Sequence, residues 1–233
     1  MIKIIDQYIN KMKEKHQIIG AMIVGSYIQN KMKEHSDIDI FFLSKVSDKS
    51  IRGREVYKGL EFEYFISPYH SFIKRIESSI TSASIYSKAK IILDEQSQLK
   101  NIQEKAVKEV KDYKVVFSFQ QRIDYKFKLE TILYDVIDMD IDSQKMDLML
   151  YMNTNIESLL NLICKIKSKP PVYLKYGMSE IKKIDLLMYK HLKAYFESDN
   201  IVDKKENYLD MIRYLLSYFI DVDVKEYYQE KRI

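Results

Sequence analysis

Cysteine is nearly absent: Cys164 stands alone among 233 residues. No internal disulfide can form, so a reducing compartment, the cytoplasm, is the expectation. No apolar run approaches the roughly 18 residues that a membrane span requires. The opening segment MIKIIDQYINKMKEK lacks the apolar stretch and small-residue cleavage site of a secretory leader. Neither sign of charge dominates, with 38 basic residues against 34 acidic ones. That balance, and the lack of a basic stripe interleaved with aromatics, argues against a nucleic-acid partner. Glycine and proline are scarce too, at five and three, so each marks a place where the chain turns or must be approached closely.

What is present falls into two rhythms. The first hundred residues mix periods of two and of three to four. Ile2, Ile5, Ile9 and Met12 form a helical face. IIGAMIVG (18–25), SDIDIFFL (36–43), GLEFEYFIS (59–67) and AKIILDE (89–95) read as strands. The third starts at Gly59, alternates Leu60, Phe62 and Tyr64 with Glu61 and Glu63, and stops at Pro68. A short helix with Phe72, Ile73 and Ile76 inward follows. From about Leu99 the spacing is helical only. Ala106, Val110, Tyr113 and Phe117 make one stripe, and Ile123 to Ile141 continue it. Met149, Met152, Ile156, Leu159, Ile163 and Ile166 give the strongest amphipathic pattern. Pro170 and Pro171 break the chain, and helices over 181–195 and 208–219 close it. The expected class is α+β: a mixed sheet with flanking helices over residues 1–100, then an antiparallel helical bundle over 101–233.

The stretch GSYIQNKMKEHSDIDIFF (25–42) carries the chemistry. Residues two apart on a strand share a face, so Asp37 and Asp39 project together while Ile38 and Ile40 turn to the core. Two like charges beside a core are costly unless something offsets them. An exposed strand end flanked by lysines is one solution; a divalent cation is the other, and Mg²⁺ takes carboxylates together with substrate phosphates. Gly25 ends the preceding strand, and Ser26 is placed to cap a short helix over SYIQNKM, whose first N–H groups would cradle phosphate. Glu61 and Glu63 lie on one face of a neighbouring strand, and either supplies a third carboxylate.

Val24-Gly25-Ser26, ten residues, then Asp37-Ile38-Asp39-Ile40 resembles the motif of the DNA polymerase beta-type nucleotidyltransferase superfamily. The size and helical second half look most like the bacterial aminoglycoside and lincosamide nucleotidyltransferases and their relatives. IILDEQSQLKNIQEKA is similar to the strand–Asp–helix segment that closes the catalytic domain there. The resemblance implies that Gly25 and Ser26 hold the β- and γ-phosphates of a nucleoside triphosphate, ATP being the expected one. Asp37, Asp39 and a third carboxylate, Glu63 by preference over Glu61, would bind two Mg²⁺ ions. A nucleoside monophosphate would then pass to a hydroxyl of a small molecule, an antibiotic among the candidates. Some relatives complete their acceptor site across two subunits, so a homodimer is one implied arrangement. Two alternatives stay open: transfer to a protein, as in toxin–antitoxin relatives, and nucleotide binding without catalysis. Asp135, Asp138 and Asp142 recur at spacings of three and four. They form either a solvated helix end or a surface that attracts a cationic acceptor such as an aminoglycoside.

Overall fold

The computed structural model describes residues 1–45 and 49–224. The chain folds as two compact units, Met1–Tyr113 and Lys114–Ile233. In the first, helix α1 (Ile2–His16) precedes strands β1 (Ile18–Val24), β2 (Ile38–Ser44), β3 (Ile51–Tyr57) and β4 (Leu60–Ser67). Helices α2 (Tyr69–Ser78) and α3 (Ile80–Ser87), strand β5 (Lys90–Asp94) and helix α4 (Gln98–Asp112) complete it. The sheet runs β3-β4-β2-β1-β5, antiparallel throughout except for the parallel pair β2–β4 at its centre. The α+β class expected from the residues is therefore the one observed.

Each face of the sheet buries what the alternation predicts. One face sets Ala21, Ile23, Ile38, Ile40, Phe42 and Phe62 against Ile5, Tyr8, Ile9 and Met12 of α1. Tyr8 stacks on Phe62 with ring centroids 4.0 Å apart, worth about 0.5–1.5 kcal/mol beyond the buried area. The other face packs Met22, Val24 and Leu43 against α2, α3 and α4 through Phe72, Ile76, Tyr86, Leu99 and Ile102. The segment from Leu99 thus serves the sheet before the all-helical unit begins. The Asp94 carboxylate starts α4 by accepting from the amides of Leu99 (3.1 Å) and Lys100 (2.9 Å), and strand–Asp–helix is the order the residues suggested.

Two local expectations are corrected. The segment after Gly25 forms turns through Asn30 rather than a helix, with the Lys31 amide bonded to the Ser26 carbonyl at 3.0 Å. The stripe through Tyr113 and Phe117 is also not one helix. It breaks over 113–118, and Ser118 opens the next helix by a reciprocal capping box with Gln121.

The second unit consists of α5 (Phe119–Asp138), α6 (Lys145–Ile166), α7 (Gly177–Ile184), α8 (Leu186–Glu197) and α9 (Ile201–Leu216), with single turns of tighter helix at Leu174–Tyr176 and Ser217–Phe219. Helix α9 touches α5, α6 and α8, and its Tyr208, Leu209, Met211, Ile212 and Leu215 are buried. The helix expected over 181–195 splits at Asp185. That carboxylate caps α8 at the Met188 amide (2.8 Å), pairs with Lys167 (3.0 Å) and accepts from the Tyr214 hydroxyl (2.8 Å). Burial pushes Asp185 up, but these partners outweigh it and hold the carboxyl below its usual range. No helix among the described residues is long and apolar enough to cross a membrane.

Candidate active site

The site forms where β1, β2 and β4 meet at one edge of the central pair. Val24, the last residue of β1, lies opposite Asp39. Across the parallel ladder, Asp39 lies level with Glu63. The chain reaches β2 through a loop pinned at Ser36, whose hydroxyl accepts from the Lys33 amide at 2.9 Å. Asp37 is then the last residue before the strand. The result is that carboxylate oxygens of Asp37, Asp39 and Glu63 all come within 4.8 Å of one another, each side chain part-buried. The strand parity that put Ile38 and Ile40 in the core holds: both are fully buried.

Strand parity alone leaves Glu61 and Glu63 equivalent; ladder position separates them. Glu63 is level with Asp39, whereas Glu61 lies beyond the first rung, Ile38–Phe62. Each is paired from β3: Arg54 forms an ion pair with Glu61, and Arg52 with Glu63. The Arg52 Nε donates to Glu63 Oε1 at 2.7 Å. Neither β3 nor its arginines was expected from the residues. The signal that existed was Gly59: Lys58 and Gly59 both have positive φ, 50° and 79°. That is the two-residue hairpin turn that demands a preceding strand.

Gly25 has φ +74°, a left-handed backbone that favours glycine, and a Cβ built there would lie 2.2 Å from Asp39 Oδ2. The glycine is therefore required twice, for its backbone and for the space the carboxylate occupies. Ser26 follows in the turn, part-buried. Three hard oxygen donors converging beside a glycine are a donor set suited to Mg²⁺ or Mn²⁺ rather than to a soft metal. The residues present thus fit the cation that the motif implies.

The acidic group at the end of α5 lies in the second unit. Asp135 accepts a hydrogen bond from the Tyr151 hydroxyl at 2.5 Å. Burial, then that carboxylate, pushes the Tyr151 hydroxyl up to about 12. Asp138 and Asp142 are exposed. The turn into α6 is organised by Asp140, which accepts from the amide and hydroxyl of Ser143 (2.8 and 2.7 Å). His35, beside the motif, is exposed.

A mixed sheet that gathers three carboxylates beside a glycine turn is an arrangement compatible with metal binding. The chain belongs to the nucleotidyltransferase domain family, whose model matches residues 5–138. It is thus a nucleotidyltransferase of the DNA polymerase beta-type superfamily, as the motif over 24–40 implied. None of the curated proteins matches the chain. Among solved structures, a nucleotidyltransferase-like protein from Exiguobacterium sibiricum superposes with a TM-score of 0.48 at 12% identity, over 86% of this chain and 69% of that one. So distant a likeness adds nothing to the family match.

Proposed function

We propose that this nucleotidyltransferase moves a nucleoside monophosphate from a Mg²⁺-bound nucleoside triphosphate, ATP in the first instance, to a hydroxyl of a small molecule. The convergence of Asp37, Asp39 and Glu63 within 4.8 Å carries the reading. These side chains would hold two divalent ions; when bound, the ions neutralise triphosphate charge and make the acceptor hydroxyl easier to ionise. Gly25 leaves its backbone open to phosphate, and the Ser26 hydroxyl offers a donor beside it. Asp39 is held in backbone register by two ladder neighbours, which sets it level with Glu63 and beside the end of β1. The acceptor oxygen attacks the α-phosphorus in line, the bond to pyrophosphate breaks, and the hydroxyl proton leaves through a carboxylate of the cluster.

For the acceptor, the acidic group Asp135, Asp138 and Asp142 supports a cationic molecule of the aminoglycoside kind. Several carboxylates on one helix end attract polyamines, and the attraction fades with salt. The test is incubation with Mg²⁺, each labelled triphosphate and a panel of aminoglycosides, lincosamides and proteins, read by mass spectrometry. The expected result is label on a small hydroxylated acceptor with the native chain and none with Asp39→Asn. Label on proteins alone would replace the small-molecule acceptor by a protein one. Triphosphate binding that is equal with and without Mg²⁺ would refute the metal centre.

A further inference from the structure

Resting on the metal centre just proposed, we infer that Arg52 is a resident counter-ion of that centre, held on Glu63 in the metal-free protein and displaced when the metal enters. The observation is the double engagement of one oxygen. Arg52 donates through Nε to Glu63 Oε1 at 2.7 Å, and its Nη2 makes an ion pair with the same atom. Glu63 is also the carboxylate that meets Asp37 and Asp39. A cation entering among the three takes an oxygen of the same carboxylate, and at that distance it repels the guanidinium held there.

Position in the sheet explains why this arginine holds Glu63. The residue directly opposite Glu63 on β3 is Arg54, and the one opposite Glu61 is Val56. Both arginines instead reach diagonally, two residues along β4, so Arg54 serves Glu61 and Arg52 serves Glu63. The two pairs are alike in construction, but only the Glu63 carboxylate has Asp37 and Asp39 as neighbours. Arg54 is therefore a built-in control.

Displacement is cheap for the arginine. Its side chain is 71% exposed while that of Glu63 is 22% exposed, so the guanidinium returns to water without leaving a buried cation behind. The guanidinium carbon also lies over the Phe65 ring, 5.2 Å from its centroid. Exchange of this pair raises the threshold for a metal arriving alone. A metal arriving with triphosphate oxygens as extra ligands has more to offer against it. Arg52 is thus a positioning residue that biases the site towards the metal–nucleotide complex.

The experiment titrates the whole chain calorimetrically with Mn²⁺ alone, in native form and as Arg52→Met, Arg52→Lys and Arg54→Met. An exposed ion pair is worth up to about 1 kcal/mol, so removing this one should tighten Mn²⁺ binding by about two- to fivefold in Arg52→Met. Arg52→Lys, which keeps the charge without the fork, should fall between Arg52→Met and the native chain. Arg54→Met should stay within about twofold of native, since its guanidinium is paired with Glu61 and not with the Glu63 carboxylate. On thermal melting, Arg52→Met should gain more from Mn²⁺ than the native chain does, an effect that a merely structural arginine would not produce. Binding by Arg52→Met that is equal to or weaker than native would overturn the inference. An equal gain in Arg54→Met would also overturn it, by tracing the effect to bulk charge. Absence of Mn²⁺ binding in all four proteins, both alone and with triphosphate present, would overturn the metal centre itself and this inference with it.

Discussion

Replacing Gly25 by alanine tests the site through a single methyl group. The backbone at this position has φ +74°, and for an L-residue a left-handed conformation costs roughly 1–2 kcal/mol. In a chain of this size that lowers the melting temperature by about 2–8 °C. The second effect is steric. The new Cβ falls 2.2 Å from Asp39 Oδ2, so the carboxylate must retreat by about 1 Å to reach ordinary contact. Asp39 cannot retreat along the strand, because it is held in the ladder between Val24 and Glu63; its carboxylate must rotate from the position it holds beside Asp37 and Glu63. Loss of support for a metal ligand typically costs about 10–100-fold in metal affinity, and a misplacement of about 1 Å costs about a hundredfold in rate. Calorimetry with Mn²⁺ and triphosphate, beside a thermal melt, separates the two effects. Ser26→Ala is the comparison, since it removes a hydroxyl without touching Asp39. A folded Gly25→Ala protein that binds Mn²⁺ and triphosphate as the native chain does would refute the reasoning, however far its melting point had fallen.

Three further outcomes are expected. Glu63→Gln should abolish Mn²⁺-dependent triphosphate binding while Glu61→Gln leaves it intact, because only Glu63 meets Asp37 and Asp39; the reverse result would move the third ligand to Glu61. Asp185→Ala strips the α8 cap, the Lys167 ion pair and the Tyr214 hydrogen bond together, and should cost about 2–4 kcal/mol, read as a lower denaturant midpoint. Because the Asp185 carboxyl is held below its usual range, its contribution is present above the unfolded value near 3.8 and lost as pH falls through the folded one. At the alkaline end Tyr151 is raised to about 12, and burial also raises Tyr8, Tyr86, Tyr195 and Tyr208. Their neutral forms favour the fold fully below the unfolded value of 10, and that support is lost as pH climbs through the folded values. An ultraviolet titration should show late-ionising tyrosines whose release coincides with unfolding; ionisation of every tyrosine near pH 10 in the folded protein would contradict the burial.

The carboxylate pair could be read from the residues because strand parity is a local rule that sets Asp37 and Asp39 on one face, and Gly25-Ser26 upstream separated a phosphate and metal site from a merely exposed strand end. The strands on either side were equally legible, for β1 is apolar throughout and β4 alternates. Strand β3 was not, because IRGREVY buries no residue fully and an edge strand needs no apolar face. The choice between Glu61 and Glu63 needed register, a long-range property that no single segment carries. The break at 113–118 was hidden by aromatics that keep helical spacing across it, although Ser118 and Gln121 formed a readable cap. Asp185 went unnoticed for a related reason. An acidic residue in a helical stripe looks solvated until its partners, Lys167 and Tyr214, are brought in from other helices.

The parallel pairing of β2 with β4 gives the sheet a history. Strands β1–β2 and β3–β4 are each antiparallel partners in sequence order, and the parallel ladder is where these two pairs join. The β3–β4 hairpin closes through a two-residue turn and can form within about 1–10 μs. The join requires contacts distant along the chain and comes later. Glu63 therefore meets Arg52 early, and meets Asp37 and Asp39 only when the pairs dock. Repulsion among the three carboxylates opposes the joining of the two pairs and not the closing of the β3–β4 hairpin. A metal held across the join would act on the finished structure, slowing its unfolding far more than it hastens its folding. Unfolding rates measured in rising Mn²⁺ would therefore report on that seam.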